Sequence, residues 1–266
     1  MSLELHRPIG IFDAGIGSYA VVERVRARFP RQDILYFADR ASFPYGSKTL
    51  AELLLSVQSA TQYLQDEGCV AVVLASNAPS VIVLEPLRAA VSVPVIGVFP
   101  PIREAIKSSK TKEVAVLGVR SMITSEAMRA FADRSRTTGS QVFLVNASSL
   151  VDLVENFTFI NDPRHTQEVV TRFVTDVRGA NPNIDVMTMS STHLPWLKPF
   201  FTTAAPDISF LDPADTVLGE LDPYTSNGEG RTRCVATETA ELTLQALNAA
   251  FQALGAPLQA RLKGCE

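Results

Sequence analysis

Basic residues in excess, paired cysteines, clustered histidines and long apolar runs are all missing from this chain of 266 residues. Lys and Arg number 24 against 28 Asp and Glu, a net charge of -4. No broad basic face is therefore on hand to neutralise a phosphate backbone, and nucleic acid is not expected as a partner. No uninterrupted apolar run approaches the roughly 20 residues that a membrane span requires, so no membrane partner is expected. The stretch from Met1 to Gly10 lacks the long apolar core of a secretion signal, which gives a cytoplasmic location as the expectation. Cys69, Cys234 and Cys265 show no C-x-x-C spacing and no nearby histidine, which argues against a zinc site or a disulfide framework. They read as reduced, incidental thiols. His6, His165 and His193 are too scattered for a metal triad, so no metal is expected. The loop Asp13-Ala14-Gly15-Ile16-Gly17-Ser18 lacks the third glycine of G-x-G-x-x-G, with Ala20 in its place. An acid also precedes that loop, where a pyrophosphate would be repelled. A dinucleotide is thereby rejected and no cofactor is expected.

What is present is a pair of small hydroxyl-bearing turns, Ala75-Ser76-Asn77 and Ser191-Thr192-His193, each following an apolar run. The runs are Val70 to Leu74 and Ile184 to Met189, and both read as strands. Ligands of open parallel sheets bind at the carboxyl ends of strands, which makes these turns the first candidates for a site.

The order of elements around them is repeated. Strand 9–12, a glycine loop, a helix carrying Val21, Val22, Val25 and Phe29, strand 34–37, a second helix and the strand before Ser76 make one series. Strand 114–117, a Gly118 loop, a helix over 125–132, strand 142–145, a helix over 168–177 and the strand before Ser191 make the other. The expected fold class is α/β, with two pseudo-symmetric lobes, each a parallel-type sheet flanked by helices. The active site is expected in the cleft between them. The first lobe is assigned to 1–97 plus 211–266 and the second to 98–210. A turn at 211–215 leads back to the first lobe, followed by a mobile polar loop at 221–231, a strand at Cys234-Val235-Ala236 and a covering helix over 238–254. In the segment from Lys48 to Asp66, Leu50, Leu53, Leu54, Val57 and Leu64 form one stripe that packs on the sheet.

Two further features bear on chemistry. Asp13 ends the first strand beside a helix start, where a carboxylate can hold an amino group, orient a neighbouring base or cap the helix. Pro44-Tyr45-Gly46 reads either as an ordinary surface turn or as a rigid one whose amides bind a carboxylate under Tyr45.

Taken together these residues resemble the aspartate/glutamate racemase superfamily, and its glutamate racemase branch in particular. Asp13-Ala14-Gly15-Ile16-Gly17 is similar to that family's D-S-G-x-G opening. Tyr36, Asp39 and Pro44-Tyr45-Gly46 resemble its Y-x-x-D and P-Y-G. Ser76-Asn77-Ala78 lies where it has C-N-T, Ser191-Thr192-His193 with Pro195 where it has C-T-H-x-P, and Leu150 to Glu155 resembles its L-V-E segment. The resemblance implies cofactor-independent racemisation of glutamate or aspartate by two opposed bases, one removing the Cα proton and the other returning one. It places Ser76 and Ser191 at the two base positions and gives Asp13 and His193 to their orientation and tuning. Ala14, Pro44, Tyr45, Gly46, Asn77, Ala78 and Thr192 then form the substrate-binding set. A small acidic amino acid is the implied partner, and a homodimer is compatible with it.

The departures from that pattern change the expected activity. Both cysteine positions hold serine, whose hydroxyl is far less acidic than a thiol titrating near 8.5. Ala14, Ala78, Val119 and Met122 stand where hydroxyl residues are usual, and Arg120 reads as a surface arginine. Three readings follow. The chain is a racemase of impaired turnover that still binds its substrate, a decarboxylase or lyase of a malonate-like diacid on the same scaffold, or a non-catalytic acidic amino-acid binding module.

Overall fold

A computed structural model describes residues 4–264; Cys265 lies outside them. Among the described residues, ten strands run in chain order as β1 (Ile9–Asp13), β2 (Ile34–Ala38), β3 (Ala71–Leu74), β4 (Val95–Gly97), β5 (Glu113–Gly118), β6 (Gln141–Asn146), β7 (Val186–Met189), β8 (Ser209–Leu211), β9 (Thr232–Ala236) and β10 (Ala260–Leu262). They form two sheets, ordered β10-β9-β2-β1-β3-β4 and β6-β5-β7-β8. Every pairing is parallel. The chain divides into two compact units, one reaching Val98 and resuming at Ala214, the other Phe99–Pro213.

Both sheets contain the same four-strand order, in which the first strand of a series sits between its second and third: β2-β1-β3-β4 in one, β6-β5-β7-β8 in the other. The fold class read from the sequence is what the structure has, two parallel sheets flanked by helices. The uninterrupted apolar runs fit strands covered on both faces, and β1, β2 and β3 are buried along their whole length.

The first unit is closed by aromatic packing, with Tyr19 on the first helix 5.4 Å from the Phe251 ring and Tyr36 of β2 6.2 Å from it. In the second, Phe201 lies 5.1 Å from Phe210 of β8. The helix Leu50–Asp66 begins in a capping box between Thr49 and Glu52. Its stripe departs from expectation at one end, because Leu50 is 63% exposed while Leu53, Val57 and Leu64 are buried. Leu50 stands in the first turn, before the helix reaches the sheet.

Two other expectations are corrected. The last helix spans Leu244–Ala253 and starts six residues later than expected. Thr243 caps it by accepting from the Ala246 amide, and the Leu242 amide turns back onto the Thr239 hydroxyl at 3.1 Å. The region 221–231 is also less open than its composition suggests. The Ser226 amide donates to Gln32 Oε1 at 2.6 Å, and the Glu229 and Arg231 amides donate to Asp33 at 3.0 and 2.9 Å. Gly230 has φ +70°, and a Cβ there would stand 2.2 Å from the Pro30 carbonyl oxygen, so only glycine fits.

Candidate active site

In a doubly wound sheet of this order, the crevice lies at the carboxyl ends of the two strands between which the connections reverse direction. Those strands are β1 and β3 in the first unit and β5 and β7 in the second. The residues leaving β1 and β3 are Asp13 and Ser76; those leaving β5 and β7 are Val119 and Ser191. Each serine turn thus occupies its own unit's switch point.

In the first unit, register sets the neighbours. Asp13 is opposite Ala38, the Asp39 amide donates to the Asp13 carbonyl at 2.8 Å, and the Ala75 amide donates to that of Phe12 at 2.8 Å. Asp13 and Asp39 are both buried. The Asp39 carboxylate accepts from the Tyr45 hydroxyl at 3.0 Å and from the Thr237 hydroxyl at 3.2 Å. Burial, then the charges of Asp39 and Asp13, hold the Tyr45 phenol far above its ordinary pKa, so it is a neutral donor. Tyr45 is buried while its neighbours Pro44 and Gly46 are exposed, and the Phe43–Pro44 peptide is cis. The turn is therefore anchored by its aromatic side chain. Arg40 is buried beside it, donating to the Ala14 carbonyl at 3.0 Å with its guanidinium 5.3 Å from the Phe43 ring centroid.

Ser76 is half-buried and stands at the head of the helix Asn77–Ala90 without capping it through its side chain. The turn is held instead by Ser80, whose hydroxyl donates to the Ser76 carbonyl at 2.6 Å and accepts from the Val98 amide at 2.9 Å. Asn77, 3% exposed, donates through Nδ2 to the Val98 carbonyl at 3.0 Å. That bond fixes which way the amide points. Its Oδ1 is buried and has no hydrogen-bond partner among the described residues. Ala78 and Ala14 are buried beside these groups in the chain.

In the second unit a three-membered relay stands at the end of β7. Ser191 Oγ lies 3.3 Å from His193 Nδ1, and His193 Nε2 lies 2.6 Å from Glu155 Oε1. All three side chains are largely buried, as is Thr192. Glu155 ends the helix Ser148–Glu155. With the imidazole neutral, Nδ1 accepts from the serine hydroxyl and Nε2–H donates to the carboxylate, so each ring nitrogen has one role. Below the turn, the Thr188 and Ser190 hydroxyls share a bond of 2.7 Å. Met122 fills the space over Gly118, where a Cβ would meet it at 2.2 Å. Arg120 is exposed, as read.

The sequence places Ser191 and His193 in one turn, but does not give the roles of Asp39 and Glu155 in holding Tyr45 and His193. Glu155 is 38 positions from its partner, and only the fold makes them neighbours. The thiols lie elsewhere. Cys69 is at the amino end of β3, the end away from Ser76, and burial pushes it up to about 12; Cys234, within β9, is raised by burial too. Among the described residues no group of three or more His, Cys, Asp or Glu is placed to hold a metal, and no helix is long and apolar enough to cross a membrane.

Comparison with known proteins fits this geometry. Residues 19–221 match the family model described as Asp/Glu/hydantoin racemase. A glutamate racemase of Gloeothece citriformis is 33% identical over 217 residues, covering 81% of this chain and 76% of that protein. The glutamate racemase of Thermus thermophilus, solved in complex with β-chloro-D-alanine, superposes with a TM-score of 0.79 at 28% identity, covering 97% of this chain and 96% of that one. A glutamate racemase isoform of Bacillus anthracis gives a TM-score of 0.80 at 24% identity over 98% of both chains, a likeness of fold.

Proposed function

From the premise that this chain belongs to the Asp/Glu/hydantoin racemase family, we propose that its ligand is a small acidic amino acid, glutamate or aspartate, and its chemistry proton transfer at Cα without a cofactor. Homology to glutamate racemases supports an amino-acid racemase activity. The Ser76 and Ser191 turns supply the two proton-transfer positions, with Asp13 and His193 orienting them. Asn77, Thr192, Ala14, Ala78 and the Pro44-Tyr45-Gly46 turn hold the substrate. The observation that carries this reading is the repeated placement of the two serine turns, each leaving the third strand of its series at the switch point. Asn77 adds to it, because a fixed, buried amide oxygen that lacks a donor suits an ammonium group. The Thermus thermophilus relative was solved with an amino-acid analogue, β-chloro-D-alanine, which supports an amino acid as the class of ligand.

Serine in both positions lowers turnover while leaving the binding site formed. A hydroxyl is nearly isosteric with a thiol but much less acidic, and a positioned acid–base group contributes about 10²–10⁴ in rate. The test follows Cα deuterium incorporation into L- and D-glutamate and L- and D-aspartate in deuterated water, comparing the chain with its Ser76→Cys/Ser191→Cys variant. Exchange in the double variant is expected to be at least about 100-fold faster with one of the two amino acids. A folded double variant that binds neither amino acid, or binds one and exchanges no faster, overturns the reading.

A further inference from the structure

Replacement of the second thiol position by serine leaves a hydroxyl, an imidazole and a carboxylate bonded in series, and this arrangement has a chemistry of its own. We infer that Ser191 is a nucleophile, activated by His193 and oriented through Glu155, and that the chain cleaves small carboxylic esters through a Ser191 acyl-enzyme.

A serine hydroxyl attacks a carbonyl when an adjacent base takes its proton and a third group fixes that base; such triads are recognised by geometry and not by chain order. Here the base is 3.3 Å from the hydroxyl and the fixing carboxylate 2.6 Å from the other ring nitrogen. The longer contact is of the kind that tightens when substrate binds. The ring is used in the sense Nδ1 to serine and Nε2 to carboxylate, and either nitrogen of an imidazole can serve as the base. Burial of the relay strengthens the His193–Glu155 bond and keeps the ring from turning away. With 6% of its surface exposed, Ser191 admits only a small acyl group. Ser76 has no such support, since among the described residues its turn is organised by Ser80 and no imidazole bonds to it. The two serines therefore differ in kind, and only Ser191 is activated.

The cleavage consumes only the ester and one water. The Ser191 proton passes to His193 Nδ1 as Oγ bonds to the substrate carbonyl carbon, and the π pair moves to the carbonyl oxygen. The tetrahedral adduct collapses by expelling the alcohol, which takes the proton from Nδ1. Water, deprotonated by the same nitrogen, then attacks the Ser191 ester, releasing the carboxylic acid and restoring the hydroxyl. Glu155 is a positioning residue throughout.

The experiment treats the full chain with a fluorophosphonate and maps the adduct by peptide mass spectrometry, with p-nitrophenyl acetate hydrolysis followed in parallel. The adduct is expected on Ser191. His193→Ala is expected to slow adduct formation at least about 100-fold. Glu155→Gln is expected to slow it while Glu155→Asp retains most of the rate, a split that loss of packing would not produce. No adduct on Ser191 in the wild-type protein overturns the inference, and so does an adduct whose rate is indifferent to His193→Ala in a variant that keeps its far-UV circular dichroism. Should the variants fail to fold, the wild-type adduct and its rate against pH decide alone: labelling on Ser191 must rise as an imidazole loses its proton, and a flat profile overturns the inference. The reading needs no amino-acid ligand, so its failure and that of the racemase reading are separately visible.

Discussion

Tyr45 and Asp39 show how one aromatic residue organises a turn that is otherwise exposed. The phenol stays protonated because burial and two nearby carboxylates oppose its ionisation. It therefore donates to Asp39 throughout the working pH range, beside the second donor, Thr237. Tyr45→Phe removes that donor and keeps the ring, and it is expected to destabilise the protein by about 1–3 kcal/mol, read as a fall in the urea midpoint without a change in slope. A midpoint equal to that of the wild type would show that Asp39 is satisfied without the phenol. At this scale the sequence is legible where one motif holds both partners: Ser191 and His193 are two positions apart in a single turn, and the family resemblance gives His193 an orienting role there. The bond from His193 to Glu155 spans 38 positions and the Tyr45–Asp39 bond closes a turn, and residue types alone announce neither. Nor do they announce the orphan oxygen of Asn77, which is a product of what surrounds it.

Single elements follow the same division. The helix Leu50–Asp66 is announced by Thr49 and Glu52, and both halves of the capping box form, with the Thr49 amide donating to Glu52 at 2.9 Å. Thr49→Ala is expected to lower stability by about 1 kcal/mol. Thr49→Ser, which keeps the acceptor, should recover most of it; equal unfolding midpoints for all three proteins would contradict a capping role. The helix Leu244–Ala253 is shorter than the sequence suggests because Thr243 and the Thr239 turn set its start through hydrogen bonds. β4, β8 and β10 have three residues each, too few for a hydrophobic period to emerge. They became strands because a neighbouring edge was there to pair with.

For the whole molecule, each unit carries a buried or half-buried carboxylate that ties backbone segments together. Burial by itself would raise Asp33, but the amides of His6, Arg231 and Glu229 outweigh it and hold the carboxyl below its ordinary value. Asp185 is lowered in the same way, burial being outweighed by the Ser109 hydroxyl, the Lys110 amide and both donors of Thr111. A carboxyl lowered in the folded state contributes stability above its unfolded pKa of about 3.9 and loses it as pH falls through the folded value. Thermal stability is therefore expected to fall steeply below about pH 4. Asp33→Asn should melt earlier at neutral pH and show a shallower acid slope, since it has one fewer such carboxyl; parallel slopes for variant and wild type would refute this. The two-sheet architecture itself was legible, since parallel strands covered on both faces declare themselves as apolar runs.

The interruption of the first unit between Val98 and Ala214 also fixes an order of events during synthesis. β2 is flanked by β1 on one edge and by β9 on the other. All four strands of β6-β5-β7-β8 leave the ribosome before Thr232 does, so the inserted unit owns its complete sheet while its host still shows an unpartnered strand to the nascent-chain environment. A nascent chain that has emerged only as far as the 222–231 stretch would hold one finished sheet and one waiting for its last two strands.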